Sequence, residues 1–148
     1  MHRLATCRKK LRKQWCVLQY PPTYEGGVCD TFTVYGRIYE SGITDLTTDV
    51  DTQASVQVAV GVGPDQSDPV AGEGWLWIDM QPNVQVGYND EYQAVVNLDQ
   101  AGSFDYVVRA TVDGGTTYAY CDTNGEGNEQ NVYESAYAGQ LTVVGAAC

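Results

Sequence analysis

Histidine is almost missing from this 148-residue sequence, where His2 is the only one. Without an imidazole in the rest of the chain, no Ser–His–Asp or Cys–His relay can form there. Zinc would lack its usual nitrogen ligand, and none of the five cysteines forms a CxxC pair. Lysine stops at Lys13, which removes the Lys–Asn isopeptide cross-links of some pili from everything that follows. Leucine is scarce, 7 residues against 19 valines and 13 threonines. β-branched residues suit a pleated surface better than a long helix. No apolar run approaches the roughly 20 residues that a membrane-spanning helix needs. No phosphate loop or dinucleotide fingerprint is present, because the glycines of Gly61-Val62-Gly63-Pro64 follow a strand pattern and open no helix.

What charge there is lies unevenly. All 19 acidic residues fall at Glu25 or later, while six of the eight basic ones fall within the first thirteen positions. Residues 14–148 therefore carry 2 minus 19, or −17, and residues 1–13 carry +6. So acidic a body repels phosphate backbones, which excludes nucleic acid as its partner. It suits a secreted or high-salt setting, where acidic surfaces stay soluble. The segment 1–14 has the basic start of an export signal without the apolar stretch that should follow. Three readings stand: a mis-set start or fragment edge, an amphipathic helix on Leu4, Leu11 and Trp15, or a cationic arm that docks on an acidic neighbour. In the last, Arg8, Lys9, Lys10, Arg12 and Lys13 are the assembly residues.

From 15 to 148 the chain reads as one all-β domain. Its centre is Asn89 to Asp122, with Tyr92, Ala94, Val96 and Leu98 on one strand face. Phe104, Tyr106, Val108, Ala110 and Val112 share a face of the next strand, and a third strand alternates through Tyr118 to Cys121. Turns at Asp99–Gly102 and Asp113–Gly115 separate the three. Further strands are expected at Trp15–Gln19, Thr31–Tyr39, Ser55–Val62, Trp75–Met80 and Ala138–Val144, with a short one at Val84–Val86. Thr23–Cys29, Ser41–Ala54, Gly63–Gly74 and Thr123–Ala136 read as connections. Carboxylates fall mostly in turns or on outward strand positions, which predicts solvated acids and no catalytic pair.

Five cysteines in so short a chain favour disulfides in an oxidising compartment. Cys16 in the first strand and Cys121 in a late one are a pair that sandwich topologies bring together. Closing a loop of about 105 residues contributes about 4–5 kcal/mol. Cys7–Cys29 is a second candidate pair, and Cys148 would be free or cross-link chains.

Two sites remain as candidates. Asp122, Asn124, Glu126 and Asn128 place oxygen ligands at alternate positions of a Gly-containing loop, as a hard cation such as calcium would need. A plain hairpin loop is the competing account. Trp75 and Trp77 share one strand face, as do Tyr118 and Tyr120, and such rings stack on sugars when exposed or fill a core when buried.

The order WCVLQYPP, VYGRIYESGIT, GWLWIDM, NDEYQAVV, AGSFDYVVRATVDGGTTYAYCD and AGQLTV resembles the immunoglobulin-like or fibronectin type III-like module of secreted bacterial proteins. Such modules occur in lipoproteins and beside extracellular nucleases, amylases and other hydrolases. The resemblance covers about residues 15–144. It implies a non-catalytic Greek-key sandwich of seven to nine antiparallel strands, placed outside the cell or on the surface of a bacterium. It also implies that Cys16 and Cys121 are the module's staple. The function expected is structural: contact with a surface protein or with other copies, assembled head to tail through the basic segment. Carbohydrate binding beside a secreted hydrolase is the alternative, with no cofactor beyond a calcium ion.

Overall fold

The computed structural model describes residues 14–51, 53–124 and 133–146. They form ten strands and, among the described residues, no α-helix. The strands are β1 (Gln14–Tyr20), β2 (Thr23–Gly27), β3 (Thr31–Glu40), β4 (Gln57–Pro64) and β5 (Leu76–Asp79). They continue with β6 (Gln81–Val86), β7 (Asn89–Asn97), β8 (Gly102–Thr111), β9 (Ala119–Cys121) and β10 (Gly139–Val144). One sheet runs β1-β3-β7-β6. The other runs β2-β10-β8-β4-β5, with β9 beside the far half of β8. Neighbours in space are mostly distant in sequence, and these crossovers between sheets make a Greek-key sandwich.

Alternation decides which side of each strand is buried. In β3, Phe32, Val34, Gly36, Ile38 and Glu40 are buried while the residues between them are half-exposed. Facing them across the sandwich are Val58 and Val60 of β4 with Tyr106, Val108 and Ala110 of β8. Phe32 meets Tyr106 edge-on at 5.3 Å between ring centroids. The Tyr106 ring lies flat on Gly139, where any Cβ would come within 2.5 Å of it. Its hydroxyl donates to the Pro21 carbonyl. Pro21 and Pro22 have no N–H for a ladder, and there the chain leaves the first sheet for the second.

Two expectations change here. Ten strands replace seven to nine, because 23–27 is a strand rather than a loop and the short strand near Val84 begins at Gln81. Both lie at sheet edges, where one neighbour is enough and Gly or Pro is tolerated. The ladder is also not antiparallel throughout. The chain changes sheets without reversing direction, so β2 runs parallel to β10, with Leu141 opposite Tyr24.

The third change concerns the acids. Asp90 and Asp105 are fully buried and Asp51 and Asp122 nearly so. Each receives N–H or O–H groups of a covering loop. Asp90 Oδ2 accepts from Asp51 N at 3.0 Å, and Asp51 accepts from the Thr47 hydroxyl at 2.8 Å and Leu46 N at 3.3 Å. Asp105 accepts from Gln66 N at 2.9 Å and Gln140 Nε2 at 3.0 Å. Burial raises both the Asp90 and Asp105 carboxyls to about 6, against the lowering effect of those N–H groups. Asp90 lies on the core face of β7 and Asp105 on the outer face of β8, and covering segments bonded to these carboxylates keep them from solvent.

Candidate functional site

The aromatic residues singled out in the sequence come together on the outer face of the second sheet. Gly61 and Gly63 make this face of β4 flat. A Cβ on Gly61 would stand 2.6 Å from the Trp77 ring, and one on Gly63 would stand 2.2 Å from the Trp75 ring. Both indoles therefore lie across bare backbone, stacked on each other at 6.0 Å with planes 23° apart. Trp75 is buried with Val107 and Ala138, and its Nε1–H donates to the Ser67 hydroxyl at 2.9 Å. Trp77 is only half-buried. Of the two fates open to the tryptophans, packing beneath a loop is the one Trp75 takes.

Beyond Trp77 stands Arg109 of β8. Its guanidinium carbon lies 4.0 Å from the Trp77 ring centroid and 4.4 Å from that of Tyr118. Trp77 reaches it from the β4–β5 side and Tyr118 from the β9 side. Tyr120, level with Arg109 in the ladder, sets its ring at 65° to Trp77 and 50° to Tyr118, with centroids 6.0 and 6.3 Å away. Among the described residues no carboxylate pairs with Arg109, and its buried Nε has no acceptor. Leaving a buried donor unmet costs about 1–3 kcal/mol, of which each cation–π contact returns about 0.5–2 kcal/mol. Of the four aromatic candidates, Trp77 and Tyr118 thus lie against a cation outside the sequence-based expectations, Tyr120 stands level with it, and Trp75 stacks on Trp77. The signal for it was there: Arg109 is one of two basic residues after Lys13.

A second feature lies on the open side of the sandwich. β6 pairs with β7 only as far as Gln93, and beyond it the rim of β7 has no neighbour on that side among the described residues. Leu98 exchanges hydrogen bonds with Cys29 and Asp30 on the β3 side, so by alternation Val95 and Asn97 aim their amides away from β3. Between this rim and β5 runs a groove of about 620 Å³. Val62, Leu76, Ile78, Phe104 and Val95 give it an apolar lining, and Asp65 and Asp99 stand in its wall. Leu76 and Val95 are 74% and 55% exposed, large values for apolar strand residues.

The calcium candidates are only partly placed. Glu126 and Asn128 lie outside the described residues. Asp122 is buried, and its two oxygens accept Asn124 N at 2.9 Å and Glu134 N at 3.1 Å. Burial raises its carboxyl above the ordinary range, while those two N–H groups lower it. Among the described residues no group of three acidic, histidine or cysteine side chains is placed to hold a metal. The assembly residues Arg8 to Lys13 and the cysteines Cys7 and Cys148 are likewise outside the described residues. Cys16 and Cys121 are joined, with Cα atoms 5.5 Å apart. Cys29 is also disulfide-bonded. No helix among the described residues is long and apolar enough to cross a membrane.

Fold and bond together define a disulfide-stapled all-β sandwich. No family model matches the chain, and no curated protein matches it. Among solved structures it is similar to a family 123 glycoside hydrolase from Clostridium perfringens, studied for glycolipid glycan hydrolysis, at 5% identity and a TM-score of 0.31. The match covers 89% of this chain and 26% of the hydrolase. A likeness of that degree carries no argument about activity.

Proposed function

We propose that the chain is a non-catalytic interaction module that works outside the cell and assembles by strand addition. The observation that carries this reading is the unpaired rim of β7 beside the apolar groove. An extended segment laid there would gain main-chain hydrogen bonds from Val95 and Asn97 and put alternate side chains against Leu76, Ile78 and Phe104. The occupant that the charge pattern supports is segment 1–13 of a second copy. Its uncharged run Leu4–Cys7 is as long as the open rim 94–97, and Arg3 and Arg8 at its ends match Asp65 and Asp99 in the groove wall.

The ladder also argues for a second copy over the same one. Gln14 pairs with Glu40, whereas Asn97 pairs with Thr31 at the other end of β3. Those ends are roughly 30 Å apart at about 3.3 Å per residue. A segment docking on its own domain would have to double back across the sheet. Docking on the next domain is a heterologous contact, and repeated it gives rings or filaments. Light scattering tests this: the intact chain forms oligomers that shrink with salt, and deleting residues 1–13 or substituting Leu76→Lys leaves monomers. Equal size for all three proteins would refute it.

Carbohydrate binding is the second reading, and the convergence of Trp77, Tyr118, Tyr120 and Arg109 favours it.

A further inference from the structure

Arg109 poses a question that assembly does not answer. The chain has 19 carboxylates, yet among the described residues none meets this guanidinium. The acid nearest by register is Asp79, which sits on the far side of Ala59, the residue that pairs with both. Asp113, at the turn just beyond β8, spends its carboxylate on Thr111, Thr117 and the Thr117 N–H. An arginine evolved only for packing would be expected to take one of so many partners. Here aromatic rings lie against it from two sides, its Nε is buried without an acceptor, and the residue as a whole is only half-buried, so its planar donors are not used up within the described residues.

We propose that Arg109 with Trp77, Tyr118 and Tyr120 binds a saccharide bearing an isolated carboxylate, a uronate. A guanidinium fixed between rings loses little freedom when it takes a carboxylate through two parallel hydrogen bonds. The half-buried rings of Tyr118 and Tyr120 beside it offer apolar surface for the C–H face of a sugar. The net charge then narrows the class. With −17 over residues 14–148, a dense polyanion is repelled at long range, so the ligand carries single carboxylates along an otherwise neutral chain. This inference deepens the carbohydrate reading and is independent of the groove, which lies between the sheets rather than on this outer face.

Titration of the intact protein, followed by tryptophan fluorescence and calorimetry, is the test. The probe is a xylo-oligosaccharide with one glucuronate branch, compared with the same neutral oligosaccharide and with an oligoglutamate. The branched probe is expected to bind and to change the fluorescence, with the neutral one at least about tenfold weaker. R109Q should lose the same factor while melting within a few degrees of the parent, and R109K, which keeps the charge but not the planar fork, should fall between. Equal binding of acidic and neutral sugars, or unchanged binding by R109Q, would overturn the proposal. So would no binding of the branched probe at millimolar concentration, and equal binding of oligoglutamate would move the site from sugars to acidic peptides and overturn it too. If R109Q does not fold, R109K decides alone, and full-strength binding by it refutes the two-bond recognition. Oligomeric state is irrelevant to every arm, so failure here leaves the assembly reading standing, and the reverse.

Discussion

Substituting Gly61→Ala tests how the outer face is built. The added methyl would stand 2.6 Å from the Trp77 ring, far inside van der Waals contact, so the indole must lift. Overpacking of this kind costs about 1–3 kcal/mol. Gly61 does not sit in the left-handed region, so alanine also narrows the unfolded ensemble and returns about 0.4–1 kcal/mol. The net expected loss lies between about 0 and about 2.6 kcal/mol. In a Trp77→Ala background the clash is gone, and the same Gly61→Ala should then stabilise by about 0.4–1 kcal/mol. Urea denaturation of the four proteins closes the cycle, and a coupling of about 1–3 kcal/mol is the prediction. Lifting Trp77 should also weaken its near-ultraviolet circular dichroism, because the ring leaves Arg109. Equal effects of Gly61→Ala in both backgrounds would refute the idea that bare backbone seats the indole.

The disulfide and the buried acids give further expectations. Replacing Cys16 and Cys121 together by alanine should cost about 4–5 kcal/mol, since a loop of 105 residues is released; a loss under about 1 kcal/mol in urea would contradict this. Cys29 cannot bond to Cys16 or Cys121, and Val28 N–H donates to the Val144 carbonyl at 3.0 Å, four residues before Cys148. Non-reducing peptide mapping should therefore find Cys29 joined to Cys148 and leave Cys7 for contacts between chains; a Cys7–Cys29 peptide would refute this. Burial raises Asp90 from 3.8 to about 6, so the native state holds that proton more tightly than the unfolded one. Its stabilising contribution is full below about pH 3.8 and fades as pH rises through 6. Asp90→Asn should flatten the melting temperature between pH 4 and 7, and an unchanged slope would exclude Asp90 as the source.

The strand faces were legible because burial follows a period of two. Tyr92, Ala94 and Val96 share one strand face by alternation, as do Tyr106 and Val108, and all five are core residues; the staple between Cys16 and Cys121 follows from where their strands lie. The pairing of β2 with β10 was not legible, since it joins residues more than a hundred positions apart and rests on a change of sheet at two prolines. The buried acids were misread for a related reason. Asp105 points outward from its own strand and is covered because the loop holding Gln66 folds over it, while Gln140, its ladder partner on β10, donates from the side. The aromatic site lay between these cases. Glycines at 61 and 63 alternate on one strand as tryptophans do at 75 and 77 on the next, a pattern of seats and rings. Arg109 stands out in the sequence only as one of two basic residues after Lys13; which rings it meets depends on how β4, β8 and β9 line up, which the sequence does not order.

Strand addition is the central claim, and amide hydrogen exchange at Val95 and Asn97 tests it most directly. In dilute protein both amides should exchange as those of an open strand edge. As concentration rises they should become protected together, and deleting residues 1–13 should abolish that concentration dependence. Exchange rates at these two positions that do not change with concentration, in an intact chain that nevertheless forms oligomers, would contradict the account.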